Sequence, residues 1–198
     1  MARILVTGSD GFIGKHLIGA MAEYDVVPCD VGTQSVEGPF DGIIHLAAVS
    51  RVRDAEADRI KCLETNIIFT ANLLEFKPSW FIFASTCEPP HNIYGFSKRA
   101  AEQYIELRGG KYIILRLSNV YGPGMAKDKL LSKLREDKDL KVDSSVFPFE
   151  YAHVDDVVER ILDSIDHFEL PVFNSYTMKI SNGIARDKDD LYRVATSY

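Results

Sequence analysis

Residues 7–14, Thr7-Gly8-Ser9-Asp10-Gly11-Phe12-Ile13-Gly14, constrain this chain more than any other stretch. An apolar run, Ile4-Leu5-Val6, precedes them, and the helix-spaced residues Phe12, Leu17 and Met21 follow. Strand, glycine turn, helix is the context in which such glycines carry meaning. Gly8 suits a tight turn out of the strand, a bare Gly11 leaves the backbone open to a pyrophosphate, and Gly14 lets the helix pack closely on a sheet. The amides of the first helical turn and the positive end of its dipole then face an anion.

The rest of the chain repeats the alternation. Residues 3–8 read as a strand and 12–23 as a helix. Val26 to Asp30 reads as a second strand, and Ile43 to Ala48 as a strand covered on both faces. Residues 51–57 are charged and loop-like, and 58–76 carry an apolar face at helical spacing. Trp80 to Ala84 gives a buried strand that leads into Ser85-Thr86. A helix over 94–108 and a strand over 111–117 follow. A charged helix is expected over 126–139, loop or short strand over 141–151, an amphipathic helix over 154–168 and a last strand at 171–174. The tail, 187–198, reads as a short helix or a frayed end. This pattern predicts an α/β fold, a Rossmann-like doubly wound parallel sheet with helices on both faces. Ligands bind such sheets beyond the C-terminal strand ends. The glycine turn, Asp30, Ala47-Ala48, Thr86 and Asn119 all fall there.

Five stretches carry a resemblance. They are the G-x-x-G-x-x-G turn, His45-Leu46-Ala47-Ala48, Tyr94-Gly95-Phe96-Ser97-Lys98, Asn119-Val120-Tyr121-Gly122-Pro123-Gly124, and Glu150 to Asp156. Together they resemble the extended branch of the short-chain dehydrogenase/reductase superfamily, the NAD-dependent epimerase/dehydratase family, and this chain would be an unusually short member. The resemblance implies an NAD site at Gly8, Gly11, Phe12, Ile13, Gly14, Leu46, Ala47, Ala48 and Asn66. It also implies that Asn119 borders the substrate and that His153 fixes the start of a helix.

Asp30 lies near the offset at which an acid meets the adenosine ribose hydroxyls. No Arg or Lys occurs between Lys15 and Arg51 to receive a 2′-phosphate, which favours NAD over NADP. Tyr94 and Lys98 share a helix face. A nearby ammonium should lower the phenol, so that Tyr94 exchanges a proton with an alcohol. Lys98 can also bind the cofactor ribose. Thr86 can hold the same substrate oxygen, and His45 reads as a packed strand residue. Arg116, Lys127, Lys129 and Lys133 could meet a nucleotide diphosphate, although a solvated basic face is the simpler reading.

The chain also departs from the family. Residues 31–41 are too few for the strand and helices that normally follow the second strand, so the family's third strand should be missing and the adenine side open. Only seven residues separate Thr86 from Tyr94, which shortens the substrate wall. The dehydratases' Asp-Glu after the Thr is replaced by Cys87-Glu88. Glu88 could act on the substrate as a base, but a thiol is a poor acid for a leaving hydroxyl, so 4,6-dehydration is disfavoured. The expected activity is a nucleotide-sugar epimerase or a related oxidoreductase acting through Thr86, Tyr94 and Lys98. The alternatives are an NAD(P)H-dependent keto-sugar or carbonyl reductase, and a catalytically silent dinucleotide-binding regulator.

A core of 1–125 is expected to bind NAD, with 126–198 a reduced substrate-side region on the same domain. The net charge of −6 argues against a nucleic-acid partner. No stretch is apolar enough to span a bilayer, no leader is visible, and three widely spaced cysteines suit a reducing, cytoplasmic compartment. No Cys/His spacing suggests a metal. By resemblance, helices 58–76 and 94–108 would pair two copies into a homodimer, with Ile60, Leu63, Ile67, Tyr104 and Leu107 supplying apolar contacts.

Overall fold

A computed structural model describes residues 1–30, 36–170, 172 and 174–198. Its main sheet has six parallel strands: β1 (Arg3–Thr7), β2 (Asp25–Cys29), β3 (Gly42–His45), β4 (Trp80–Thr86), β5 (Tyr112–Leu117) and β8 (Tyr176–Ile180), in the order β2-β1-β3-β4-β5-β8. Strand alternation sorts its side chains into two layers. Ile4, Val6, Ile44, Ile82 and Leu115 face α1 (Phe12–Ala20) and α7 (Val154–His167), where Leu17, Val157, Ile161 and Ile165 meet them. Leu5, Ile43, Phe81, Phe83 and Ile114 face the other way. There Leu73 and Leu74 of α4 (Phe69–Leu74) and Ala101 and Ile105 of α5 (Ile93–Arg108) cover them. β4 lies mid-sheet and is buried along its whole length, which is why it reads as an unbroken apolar run.

β2 is an edge strand, and among the described residues no strand pairs with its outer side. The expected loss of the strand beyond it therefore agrees with the architecture; residues 31–35 lie outside the described residues. A three-stranded sheet, β6-β7-β9, follows the kink at Ser118. Its strands are β6 (Asn119–Tyr121), β7 (Phe149–His153) and β9 (Gly183–Ala185). It shares a small core with α6 (Leu130–Glu136) and α8 (Lys188–Ala195), built from Tyr121, Leu131, Leu134, Leu191 and Val194.

Four local expectations are corrected. Residues 51–57 are not a loop: α2 (Val52–Ala57) forms there, with Ala55 buried. The helix over 58–76 is α3 (Arg59–Leu63), a wide π-type turn over Glu64–Ile68, and α4; the turn buries Thr65 and Asn66. The charged helix is only α6, which Leu131 and Leu134 anchor in the small core. The last sheet strand is β8 rather than 171–174, of which 171 and 173 lie outside the described residues. β8 is an edge strand whose Thr177 and Lys179 reach solvent, so it lacks a continuous apolar run. Among the described residues no helix is long and apolar enough to cross a membrane.

Candidate active site

The site lies beyond the C-terminal ends of the main strands. At β1 it is made of backbone. Gly8 has φ +72°, and a Cβ there would stand 2.7 Å from the Ala47 amide nitrogen. A Cβ on Gly14 would stand 2.8 Å from Ser9 Cα. α1 therefore lies against the turn with no room for a side chain. No side chain caps α1 at Gly11, so its first amides face outward. Asp30, at the end of β2, accepts the Asp10 amide at 3.2 Å and ties the glycine turn to the neighbouring strand. Phe12 rests edge-on against His16, and Ile13 packs into the core. Leu46 donates its amide to the Thr7 carbonyl at 3.1 Å.

Behind this turn runs a directed hydrogen-bond chain. The Ala47 amide donates to Thr7 Oγ1 at 3.3 Å, and Thr7 Oγ1 lies 2.6 Å from His45 Nδ1. His45 Nε2 lies 2.9 Å from Thr70 Oγ1, which donates to the Asn66 carbonyl at 2.8 Å. The direction assigns the proton to Nε2, with Nδ1 accepting from Thr7. Burial, and then Lys98, push His45 well below its ordinary value, so the ring is a neutral structural link. Asn66 is fully buried. Its Oδ1 accepts the Val49 amide at 2.8 Å, and its Nδ2 donates to the Val49 carbonyl at 3.1 Å and to Ser97 Oγ at 2.9 Å. It fastens the segment after β3 to the helix that carries Tyr94 and Lys98.

At β4 the site is made of side chains. The Tyr94 phenol lies beside Thr86, whose Oγ1 accepts the Glu88 amide at 3.0 Å. Lys98, one turn along α5, is buried, with Nζ 4.0 Å from the centre of the Phe83 ring. Burial lowers its ammonium to about 7, against the opposing pull of Glu102. In the protein alone the Tyr94 phenol lies above its ordinary value. Burial raises Tyr94, Thr86 partly offsets that, and Glu88 adds to the rise.

The start of α5 is held from three sides. Asn92 Oδ1 accepts the Gly95 amide at 2.8 Å, Asn92 Nδ2 donates to Glu88 at 2.7 Å, and Glu56 of α2 accepts the Ile93 amide at 2.9 Å. A Cβ on Gly95 would run into the backbone of Pro89, so the short loop packs directly on the helix. Glu88 is thus engaged with Asn92. Asn119, exposed, ties β6 to β7 by donating to the Glu150 carbonyl at 2.9 Å. His153 Nδ1 accepts the Asp155 amide at 3.3 Å and caps α7. The Cys87 thiol donates to the Arg116 carbonyl at 3.3 Å, and burial pushes it up. Tyr121 is buried and packs edge-on against Tyr151, His153 and Tyr198.

One buried cluster escaped the sequence reading. The Glu102 carboxylate takes Arg116 through Nε at 3.0 Å and Nη2 at 2.6 Å, Arg99 at 2.6 Å, and the Ser85 hydroxyl. Arg116 is therefore spent inside the protein. The signal was available: Glu102 stands one further turn along the face of Tyr94 and Lys98. Glu56 had no such signal, since it reaches α5 only through tertiary packing.

With this geometry in view, residues 33–176 match the model of the NAD-dependent epimerase/dehydratase family. The chain belongs to that family. Among curated relatives, a UDP-2-acetamido-2,6-beta-L-arabino-hexul-4-ose reductase of Pseudomonas aeruginosa is 26% identical over 98% of this chain. A putative UDP-glucose 4-epimerase of Methanocaldococcus jannaschii is 30% identical over 60% of it. The chain spans only 54% and 56% of the lengths of these two relatives. A Thermotoga maritima UDP-glucose 4-epimerase structure with UDP-glucose superposes with a TM-score of 0.81 at 24% identity, covering 98% of this chain and 81% of that one. That likeness establishes the family fold, including the Rossmann-like sheet.

Proposed function

We propose that this family member is an NAD-dependent oxidoreductase acting on a sugar hydroxyl or ketone of a nucleotide sugar, as an epimerase or a reductase. The observation that carries the reading is Thr86 at the end of β4 beside Tyr94, one helical turn from a buried Lys98, beyond the same strand ends as the glycine turn.

The residues present fit NAD. The uncapped first turn of α1 with Gly8, Gly11, Phe12, Ile13 and Gly14 would hold the diphosphate, and Asp30 the adenosine ribose. Leu46, Ala47 and Ala48 offer a floor of small or apolar side chains. Asn66 supports that floor through Val49. Lys98 would bind the second ribose. The nicotinamide supplies the hydride acceptor and donor. Thr86 orients the reacting oxygen, and Tyr94 takes or returns its proton. At neutral pH the buried phenol keeps its proton, which suits the protonating direction, in which a ketone becomes an alcohol. The presence of Thr86, Tyr94 and Lys98 together favours reductase or epimerase turnover over a silent binder, which needs neither Thr86 nor Tyr94. Cys87 with a raised thiol supplies no acid for dehydration.

In the same proposal, residues 1–125 carry most of the cofactor site. β7 and β9 of the small sheet, with α6 and α8, form the substrate side within 126–198. Ile60, Ile68, Phe96 and Leu107 stand 66%, 55%, 51% and 87% exposed on α3–α5, as a face between two copies in a cytoplasmic homodimer requires. Leu63 and Ile67 are more covered and contribute less. Light scattering showing a monomer at micromolar concentration would remove the dimer.

The activity is tested by incubating the protein with NAD or NADH and a panel of nucleotide sugars and 4-keto sugars. Interconversion without net cofactor change indicates an epimerase; net NADH consumption indicates a reductase. Tyr94→Phe should lower either rate by about 10²–10⁴ while NADH still binds. Binding without turnover on every substrate would favour the regulator.

A further inference from the structure

Two segments meet across the mouth of the cleft. Arg51, just before α2, forks onto Asp128, just before α6. Its Nη1 donates to Oδ2 and its Nη2 to Oδ1, the latter at 3.0 Å. β3 and β5, whose following segments carry Arg51 and Asp128, flank β4, which ends at Thr86.

More cations gather at this link than carboxylates. Lys129 is held below its ordinary value by desolvation and then by Arg51, with Arg53 adding repulsion, while Asp128 and Asp54 draw it back. Asp128 is lowered first by its bond to Arg51 and also feels Arg53. Arg53 in turn is paired with Asp54 at 3.0 Å, so Lys129 is the cation in excess of the two carboxylates. An ion pair at the surface adds little stability, so Arg51 can change partners at small cost. A phosphate presents the same two-oxygen face with more charge, and a guanidinium matches it in a fork.

We propose that Arg51 and Arg53 receive the diphosphate of a second nucleotide, bound beside the dinucleotide, and that this anion exchanges for the Asp128 carboxylate on Arg51. The inference rests on reading the cleft as a nucleotide-sugar site and deepens it. The substrate's charged end lies over β4, and its sugar points down toward Thr86 and Tyr94.

Calorimetric titration of the full chain with inorganic pyrophosphate and with UDP, each with and without saturating NADH, tests the site. Arg51→Ala should weaken both ligands by about tenfold or more in both arms. Arg51→Lys, which keeps the charge and loses the fork, should fall between. Asp128→Asn should tighten binding by removing the competing carboxylate. Equal affinity of the wild type and Arg51→Ala would overturn the proposal, and so would weaker binding by Asp128→Asn. A loss confined to the NADH-free arm would assign the diphosphate to the cofactor and overturn it too. NADH fluorescence reports separately on the dinucleotide site. Pyrophosphate held through Arg51 in a protein that binds no NADH would sustain this site and refute the NAD reading. NADH binding with no effect of Arg51 would do the reverse.

Discussion

Where β1 turns into α1 the cleft is lined by bare backbone; where β4 turns into α5 it is lined by buried polar and charged side chains. The first wall depends on what is missing. Gly8 and Gly14 have no room for a Cβ, because Ala47 and Ser9 already occupy that space. The second wall depends on compensation. Lys98 is buried and pushed toward neutrality, and Glu102 offsets that while holding Arg116, Arg99 and Ser85. A wall defined by shape fails by overlap and is indifferent to pH. A wall defined by charge fails by losing a partner and responds to pH.

The largest effect should come from the shape wall. Gly14→Val drives a branched side chain into the turn's backbone, and should cost more than the about 3 kcal/mol typical of overpacking. A urea midpoint barely shifted would show that the turn can yield. Next is Glu102→Ala. It strands Ser85 and Arg116 and should cost about 2–3 kcal/mol, the low end for a broken buried pair, since the Arg116 side chain is 37% exposed and can rehydrate. A smaller loss would mean that packing, not charge, fastens α5 to β4.

Lys98→Met separates the walls by pH. The folded-state value of about 7 lies below the ordinary lysine value of 10.5. Unfolded chains therefore bind more protons between those limits, and stability rises with pH across that window. The cost of the buried ammonium is present in full below about pH 7 and has vanished above 10.5. Lys98→Met should accordingly raise the melting temperature most at pH 6, with the gain fading by pH 10.5. A gain independent of pH would show that Lys98 costs nothing electrostatically. Gly14→Val, by contrast, should be equally destabilising at both pH values.

The smallest effect is expected at the outer edge of the charge wall. Glu56 is held below the ordinary carboxylate range chiefly by the Ile93 amide. Its contribution is present above that ordinary range and is lost as pH falls through the folded value. Glu56→Gln should lower the melting temperature slightly at pH 7 and not at all in acid. The same small change at both pH values would mean that the charge of Glu56 is immaterial to the start of α5.

Five of the six main strands were legible in the sequence. β4, mid-sheet, announced itself as Trp80 to Ala84, whereas β8 at the edge was missed because Thr177 and Lys179 interrupt its apolar residues. α2 was missed because Arg51 to Asp58 has no apolar period. Only Ala55 is buried there, and the helix owes its place to contacts with α5. The site followed the same division. Thr86, Tyr94 and Lys98 were legible from order and spacing, and their placement in one cleft follows from the sheet. Glu88 and Asn119, expected to face substrate, also hold Asn92 and the Glu150 carbonyl. No local pattern encodes such partners.

The sequence by itself determined which groups share a turn of helix or a strand end, because those distances follow from the 3.6- and 2-residue periods of the backbone. It therefore supplied the glycine turn, the Tyr94–Lys98 pair and the layered sheet. The tertiary structure alone decided how dry each group is and which distant segment meets it. Tyr94 is raised by burial, His45 is locked neutral, and Arg51 reaches Asp128, because desolvation and long-range contacts arise only once separate segments close over one another.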